Sequence, residues 1–211
     1  MICIIIILTL LRQYRIDPMS ELKKVLIVTY YWPPAGGPAI QRTLKFVKYM
    51  RFFGWEPVIL TVENGEYPAI DPSLIQEIPD NIQVYKTKAF QPFQLYRMLN
   101  GKKGNTHNNA NVFGQKDKTF VERLAKWIRL NLFIPDARIG WYAYAVKAAK
   151  KIIEQEHIDL IYSSSPPHSL QLIAQKIAKQ NKIKWVADFR DPWSELVHYQ
   201  SYKRTWLTRK I

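Results

Sequence analysis

VLIVTYYWPPAGGP, residues 25–38, is the stretch on which the fold turns. The run VLIVT shows no polar–apolar alternation, so a strand there would be buried on both faces, as in a parallel sheet covered by helices. Pro33, Pro34 and Pro38 withdraw backbone donors and Gly36-Gly37 loosen the chain, so the strand cannot continue beyond Thr29. Residues 39–53 then place Ile40, Leu44, Val47 and Met50 near helical spacing, with Gly54 as a stop. Residues 55–61 (WEPVILT) read as the next strand. Together these make a strand–loop–helix–strand unit, for which a right-handed crossover is expected.

Working outward, residues 71–77 read as a short helical turn and 82–86 as a third strand. Residues 89–118, rich in Asn, Gly, Lys and Gln, suggest a long excursion with a mobile centre near 102–111. An amphipathic pattern returns over 120–133 and Pro135 ends it; residues 141–155 form a further helix. A second unit follows: a short strand (160–163, LIYS), a turn (164–168, SSPPH), a helix (169–180) and a buried strand (184–189, KWVADF) with the exit loop 190–195. Strands alternating with helices in this way predict an α/β, Rossmann-like doubly wound domain with a mostly parallel open sheet.

The composition suits a folded chain: of 211 residues, 47% are hydrophobic, 13% aromatic and 23% charged. Lys and Arg number 31 against 17 Asp and Glu, a net charge of +14, which favours an anionic partner without choosing one. The excess is regional, since residues 86–151 hold 14 basic residues and three acidic ones. Cys3 stands alone, excluding a disulfide framework and a cysteine metal site, and agrees with a cytoplasmic location. His107, His157, His168 and His198 lack zinc-site spacing. The apolar run 2–11 is shorter than the about 20 residues needed to cross a bilayer. Met19-Ser20-Glu21 reads as an ordinary start, making residues 1–18 an upstream extension and 19–211 the domain.

Ligands of open parallel sheets bind beyond the carboxyl ends of the strands, at a topological switch point. Three such ends carry unusual residues. Gly36 and Gly37 would let the backbone approach a ligand, and the helix behind them offers unpaired amides to a phosphate. The loop is neither G-x-G-x-x-G nor a Walker A sequence. In the turn SSPPH, Ser164 and Ser165 are small and polar, the prolines hold the chain extended, Ser169 is placed to cap the next helix, and His168 lies at the strand exit. In DFRDPW, Asp188 points out of a strand expected to be buried, with Arg190, Asp191 and Trp193 in the exit loop. The plainer alternatives are a tight turn, an exposed histidine and an Arg–Asp pair fixing the loop. No nucleophile elbow or Ser/His/Asp order suggests hydrolysis.

KKVLIVTYYWPPAGGPAIQR (23–42), SSSPPHSLQLIA (163–174) and WVADFRDPW (185–193), in this order, resemble the N-terminal domain of a family 4 glycosyltransferase of the GT-B architecture. The resemblance implies a retaining, metal-independent enzyme with no cofactor. It implies a nucleotide-sugar donor held mainly by a second, C-terminal domain, and a glycan or lipid-linked acceptor, from the cell envelope or a polysaccharide, held mainly by this one. It assigns Gly36 and Gly37 to the donor diphosphate and sugar, His168 to the donor sugar as the catalytic candidate, and Ser165, Arg190, Asp191 and Trp193 to the acceptor side of the cleft. The family's basic pair and E-x₇-E element belong to the second domain, so this polypeptide alone is expected to be inactive. Trp127, Leu130, Phe133 and Trp141, among Lys126, Arg129 and Arg138, suit a peripheral face on an anionic membrane at the inner side of the cell, or equally a helix packed on the sheet or on the second domain with its charges solvated. The alternatives are a non-catalytic protein sharing the fold and a basic-surface binding module. No helix-turn-helix or RNP-like pattern supports nucleic acid as the partner.

Overall fold

The computed structural model describes residues 22–91 and 134–191. The helix expected over 120–133, most of the basic excursion, the N-terminal run and Trp193 lie outside the described residues. The strands are β1 (Lys23–Val28), β2 (Trp55–Val62), β3 (Gln83–Thr87), β4 (Leu160–Ser164) and β5 (Lys184–Asp188). They form one five-stranded sheet in the order β3-β2-β1-β4-β5, and every pairing is parallel. The helices are α1 (Pro38–Met50), α2 (Tyr142–Glu156) and α3 (Ser169–Asn181), with short 3₁₀ turns at Arg51–Phe53, Pro72–Glu77 and Ala137–Trp141. This is the expected α/β, Rossmann-like arrangement, and chain order reverses between β1 and β4.

The two faces of β1 explain its unbroken apolar run. Val25 and Ile27 pack on one side with Ile40, Leu44 and Val47 of α1. Leu26 and Val28 pack on the other with Ala145, Ala149 and Ile152 of α2 and Leu170, Ile173 and Ile177 of α3. A strand buried on both faces has no polar face to alternate with. β5 is different. It is an edge strand among those described, with Val186 47% exposed and Phe189 just beyond it 70% exposed. The expectation of a fully buried strand there is therefore corrected: KWVADF is apolar enough for a central strand, but sheet order is not written in one segment.

Trp141 and Arg138 are not available to a membrane face. Trp141 is fully buried, packs edge-on to Tyr30 with centroids 5.8 Å apart, and donates from its indole nitrogen to Thr87 Oγ1 at 2.7 Å. Arg138 lies over the Tyr30 ring, donates to Glu66 Oε2 and to the Glu66 carbonyl at 2.8 Å each, and is only 19% exposed. Lys24 Nζ and the Tyr85 hydroxyl both donate to the Glu156 carboxylate, at 2.8 and 2.5 Å, tying β1 and β3 to the end of α2. Among the described residues, no helix is long and apolar enough to cross a membrane.

Candidate functional site

The loop after β1 is held from one side by residues 69–71. Ala35 bridges Ile70, the Gly36 amide donates to the Ala69 carbonyl at 2.9 Å, and the Asp71 amide donates to the Pro34 carbonyl at 2.8 Å. This separates the two glycines in role. A Cβ on Gly36 would stand 3.1 Å from Asp71 Cβ, so this position is a close contact within the protein. Gly37 has φ +115°, which side chains resist, and a Cβ there would meet nothing nearer than Ile40 Cδ1 at 3.8 Å. Only Gly37 leaves room for a ligand to approach.

Gly37 is also the N-cap of α1. Among the described residues no side chain caps this end, Pro38 occupies the first turn, and the first turn has no acidic residue. The first amides of the helix and the positive end of its dipole are thus open to water or an anion.

The turn after β4 is built more tightly. Its Ser165–Pro166 and Pro166–Pro167 bonds are cis. Ser165 is fully buried; its amide donates to the Asp188 carbonyl at 3.0 Å and its Oγ accepts from the Arg190 amide at 3.1 Å. Arg190 Nε donates to the Ser165 carbonyl at 3.0 Å. Arg190 therefore fixes its loop through Ser165, and the Arg190–Asp191 pair considered from sequence is replaced by this clamp. Gln171 bridges below: its Oε1 accepts from Ser163 Oγ at 2.7 Å and its Nε2 donates to the Asp188 carbonyl at 3.0 Å.

Ser169 does not cap α3. His168 is the N-cap residue by position, and the capping group is Asp136, 33 residues earlier. Its carboxylate accepts from the Ser169 amide at 2.8 Å and Ser169 Oγ at 3.0 Å, and also from the Arg138 amide at 2.8 Å. One carboxylate thus serves two helical starts. Sequence offers half of this, since Asp after Pro135 and before Ala137 suits a local N-cap; the reach to Ser169 has no local signal.

His168, Arg190 and Asp191 share a depression of about 480 Å³ that Gln171, Leu172 and Phe189 also line. Burial holds the His168 imidazole below its ordinary pKa, against the pull of the Asp136 and Asp191 carboxylates, so it is neutral at neutral pH. Neither glycine lines this depression. The expected single convergence is therefore two neighbouring places on one sheet edge: Gly37 at the open start of α1, and His168 with Arg190 and Asp191 beside α3. Trp193 lies outside the described residues.

A further cluster stands at the ends of β4 and β5 on the α1 face. Asp188 Oδ2 accepts from the Tyr162 hydroxyl at 3.0 Å and Ser164 Oγ at 2.8 Å, and Arg42 Nε lies 3.1 Å away in an ion pair. Burial, then the Asp188 charge and hydrogen bond, push the Tyr162 pKa up, so Tyr162 remains a protonated donor. Arg42 also lies 5.2 Å over the Phe46 ring. Sequence reading passed over Arg42 and Tyr162; the available signal was Tyr162 and Ser164 sharing one strand face at period two. Among the described residues, no group of His, Cys, Asp and Glu is arranged to hold a metal ion.

No protein-family model and no curated protein matches the chain. Among solved structures, it is similar to the C-terminal domain of a hydrogenase from Pyrococcus furiosus at 13% identity and TM-score 0.40, covering 82% of this chain and 96% of that one. It is similar to a glycosyltransferase from Rickettsia africae at 13% identity and TM-score 0.39, covering 88% of this chain and 36% of that one. It is also similar to a tyrosyl-tRNA synthetase from Archaeoglobus fulgidus, solved with L-tyrosine, at 10% identity and TM-score 0.36, covering 81% of this chain and 56% of that one. The chain thus spans little more than a third of the glycosyltransferase it is distantly like.

Proposed function

We propose that this chain forms the acceptor-side domain of a nucleotide-sugar-dependent glycosyltransferase, a retaining and metal-independent enzyme working at the cytoplasmic face of the cell membrane. The reading starts from the three sequence motifs. The observation that carries it is the start of α1: an uncapped helix end behind a φ-positive glycine, beside the switch point of a parallel sheet. Glycosyl transfer from a nucleotide sugar develops negative charge on the departing diphosphate. Fixed amides and a helix dipole stabilise that charge without reorganising as it forms. Neutral His168 would then serve as a hydrogen-bonding group toward the sugar, with Arg190 and Asp191 on the acceptor side. A glycan or lipid-linked acceptor from the cell envelope or a polysaccharide completes the reaction.

Titration of the ¹⁵N-labelled chain with UDP, GDP and inorganic pyrophosphate tests this. The amides of Gly37, Ala39 and Ile40 should shift in a saturable way. Pro38→Asp, which places a carboxylate at this exposed position, should abolish the shifts while the helix is retained. Shifts absent from the wild-type chain, or unchanged in Pro38→Asp, would sink the proposal.

A further inference from the structure

A separate crevice of about 350 Å³ opens between the loop after β1 and the loop after β2. Its apolar wall includes Trp32, Pro34 and Tyr67, with Trp32 2% exposed and Tyr67 half-buried. Its polar side carries Glu63, the first residue after β2, and Lys86 near the end of β3. Both side chains are exposed, and neither is ion-paired with the other or with another described residue. A carboxylate and an ammonium on the rim of one small cavity would ordinarily pair or be separated by solvent; here both are available to a guest. The volume lies at the lower end of the range for small-molecule sites.

We propose that this crevice binds a phosphorylated sugar ring. Glu63 accepts hydrogen bonds from two vicinal ring hydroxyls, Lys86 pairs with the phosphate, and the C–H face of the ring lies on the apolar wall. Two sources carry this chemistry, a nucleoside monophosphate and a hexose phosphate. The site is distinct from the α1 end, because the Ala35–Ile70 bridge stands between Pro34 and Gly37.

Calorimetric titration of the chain with UMP, glucose 1-phosphate and inorganic phosphate separates the cases. At least one ring compound should bind about tenfold more tightly than phosphate, a difference of about 1.4 kcal/mol. Preference for UMP assigns the ribosyl source, and preference for glucose 1-phosphate the hexose source. Glu63→Gln should weaken the ring compound about tenfold and leave phosphate unchanged, while Lys86→Met should weaken both. Both residues are exposed, so the melting temperature should hold in each variant. Phosphate binding as tightly as the better-bound ring compound, no binding at about 10 mM ligand, or affinities untouched by both substitutions would overturn the proposal. Pro38→Asp should leave this binding intact; its loss there would move the ligand to the α1 end and equally overturn it.

Discussion

Two helices start at the carboxyl edge of this sheet, and their first turns are finished in opposite ways. At α3, Asp136 takes the Ser169 amide and hydroxyl together, so a phosphate arriving there would meet a carboxylate already in place. At α1, no described side chain takes that role and Gly37 leaves room for an approach. A helix end without an internal partner is less stable by about 1 kcal/mol than a capped one. The α3 end is closed by the protein itself, and the α1 end is open among the described residues. His168, the first choice from sequence for contact with the donor, belongs to the α3 side.

The largest effect should come from breaking the sealed end. Asp136→Ala removes the cap from α3 and from the turn before α2, and should destabilise the chain by about 2–3 kcal/mol in urea unfolding. A loss under about 0.5 kcal/mol would mean that α3 is not held this way. Next, Gly37→Ala should cost about 2 kcal/mol through backbone strain at φ +115°. Gly36→Ala should cost about 1 kcal/mol, through its 3.1 Å approach to Asp71 Cβ. The reverse order would show that packing, and not conformation, governs the loop.

The smallest effect concerns a network that should leave both helix ends untouched. Hydrogen bonds from Lys24 and then Tyr85 hold the Glu156 pKa below its ordinary value of 4.5. Its contribution is therefore present above pH 4.5 and lost as pH falls through the lowered value. The hydrogen bond to Glu156 raises Tyr85 from 10.0 to about 12, so that contribution is present below pH 10 and lost as pH rises toward 12. Glu156→Gln should flatten stability at both extremes, and Tyr85→Phe mainly at the alkaline one. Circular-dichroism melts across pH check this; unchanged profiles in both variants would remove the network from the account.

Much of the architecture could be read from local pattern. Every described strand begins and ends within two residues of its expected position, because β-branched runs are local signals; α1 ends three residues early, at Met50, where a 3₁₀ turn carries the chain to Gly54. The site was less legible. Gly36 and Gly37 are adjacent and chemically identical, and only the distant Asp71 tells them apart. Asp136 caps a helix from 33 residues away, and Arg42 reaches Asp188 from the other end of the chain. Ser165 and Arg190 were found by sequence and do lie together, but their hydrogen bonds are directed at each other. Long-range partners decide what a polar residue does, and pattern reading does not see them.

The short bridge between Ala35 and Ile70 carries one more consequence. It stands between the crevice and the start of α1 along the carboxyl edge, although Trp32 and Ile40 share one core beneath it. Pro38 and Glu63 are exposed on opposite sides of it, so a chain carrying both Pro38→Asp and Glu63→Gln should lose the sum of the two single losses. A departure from that sum would measure how far the shared core couples the two sides.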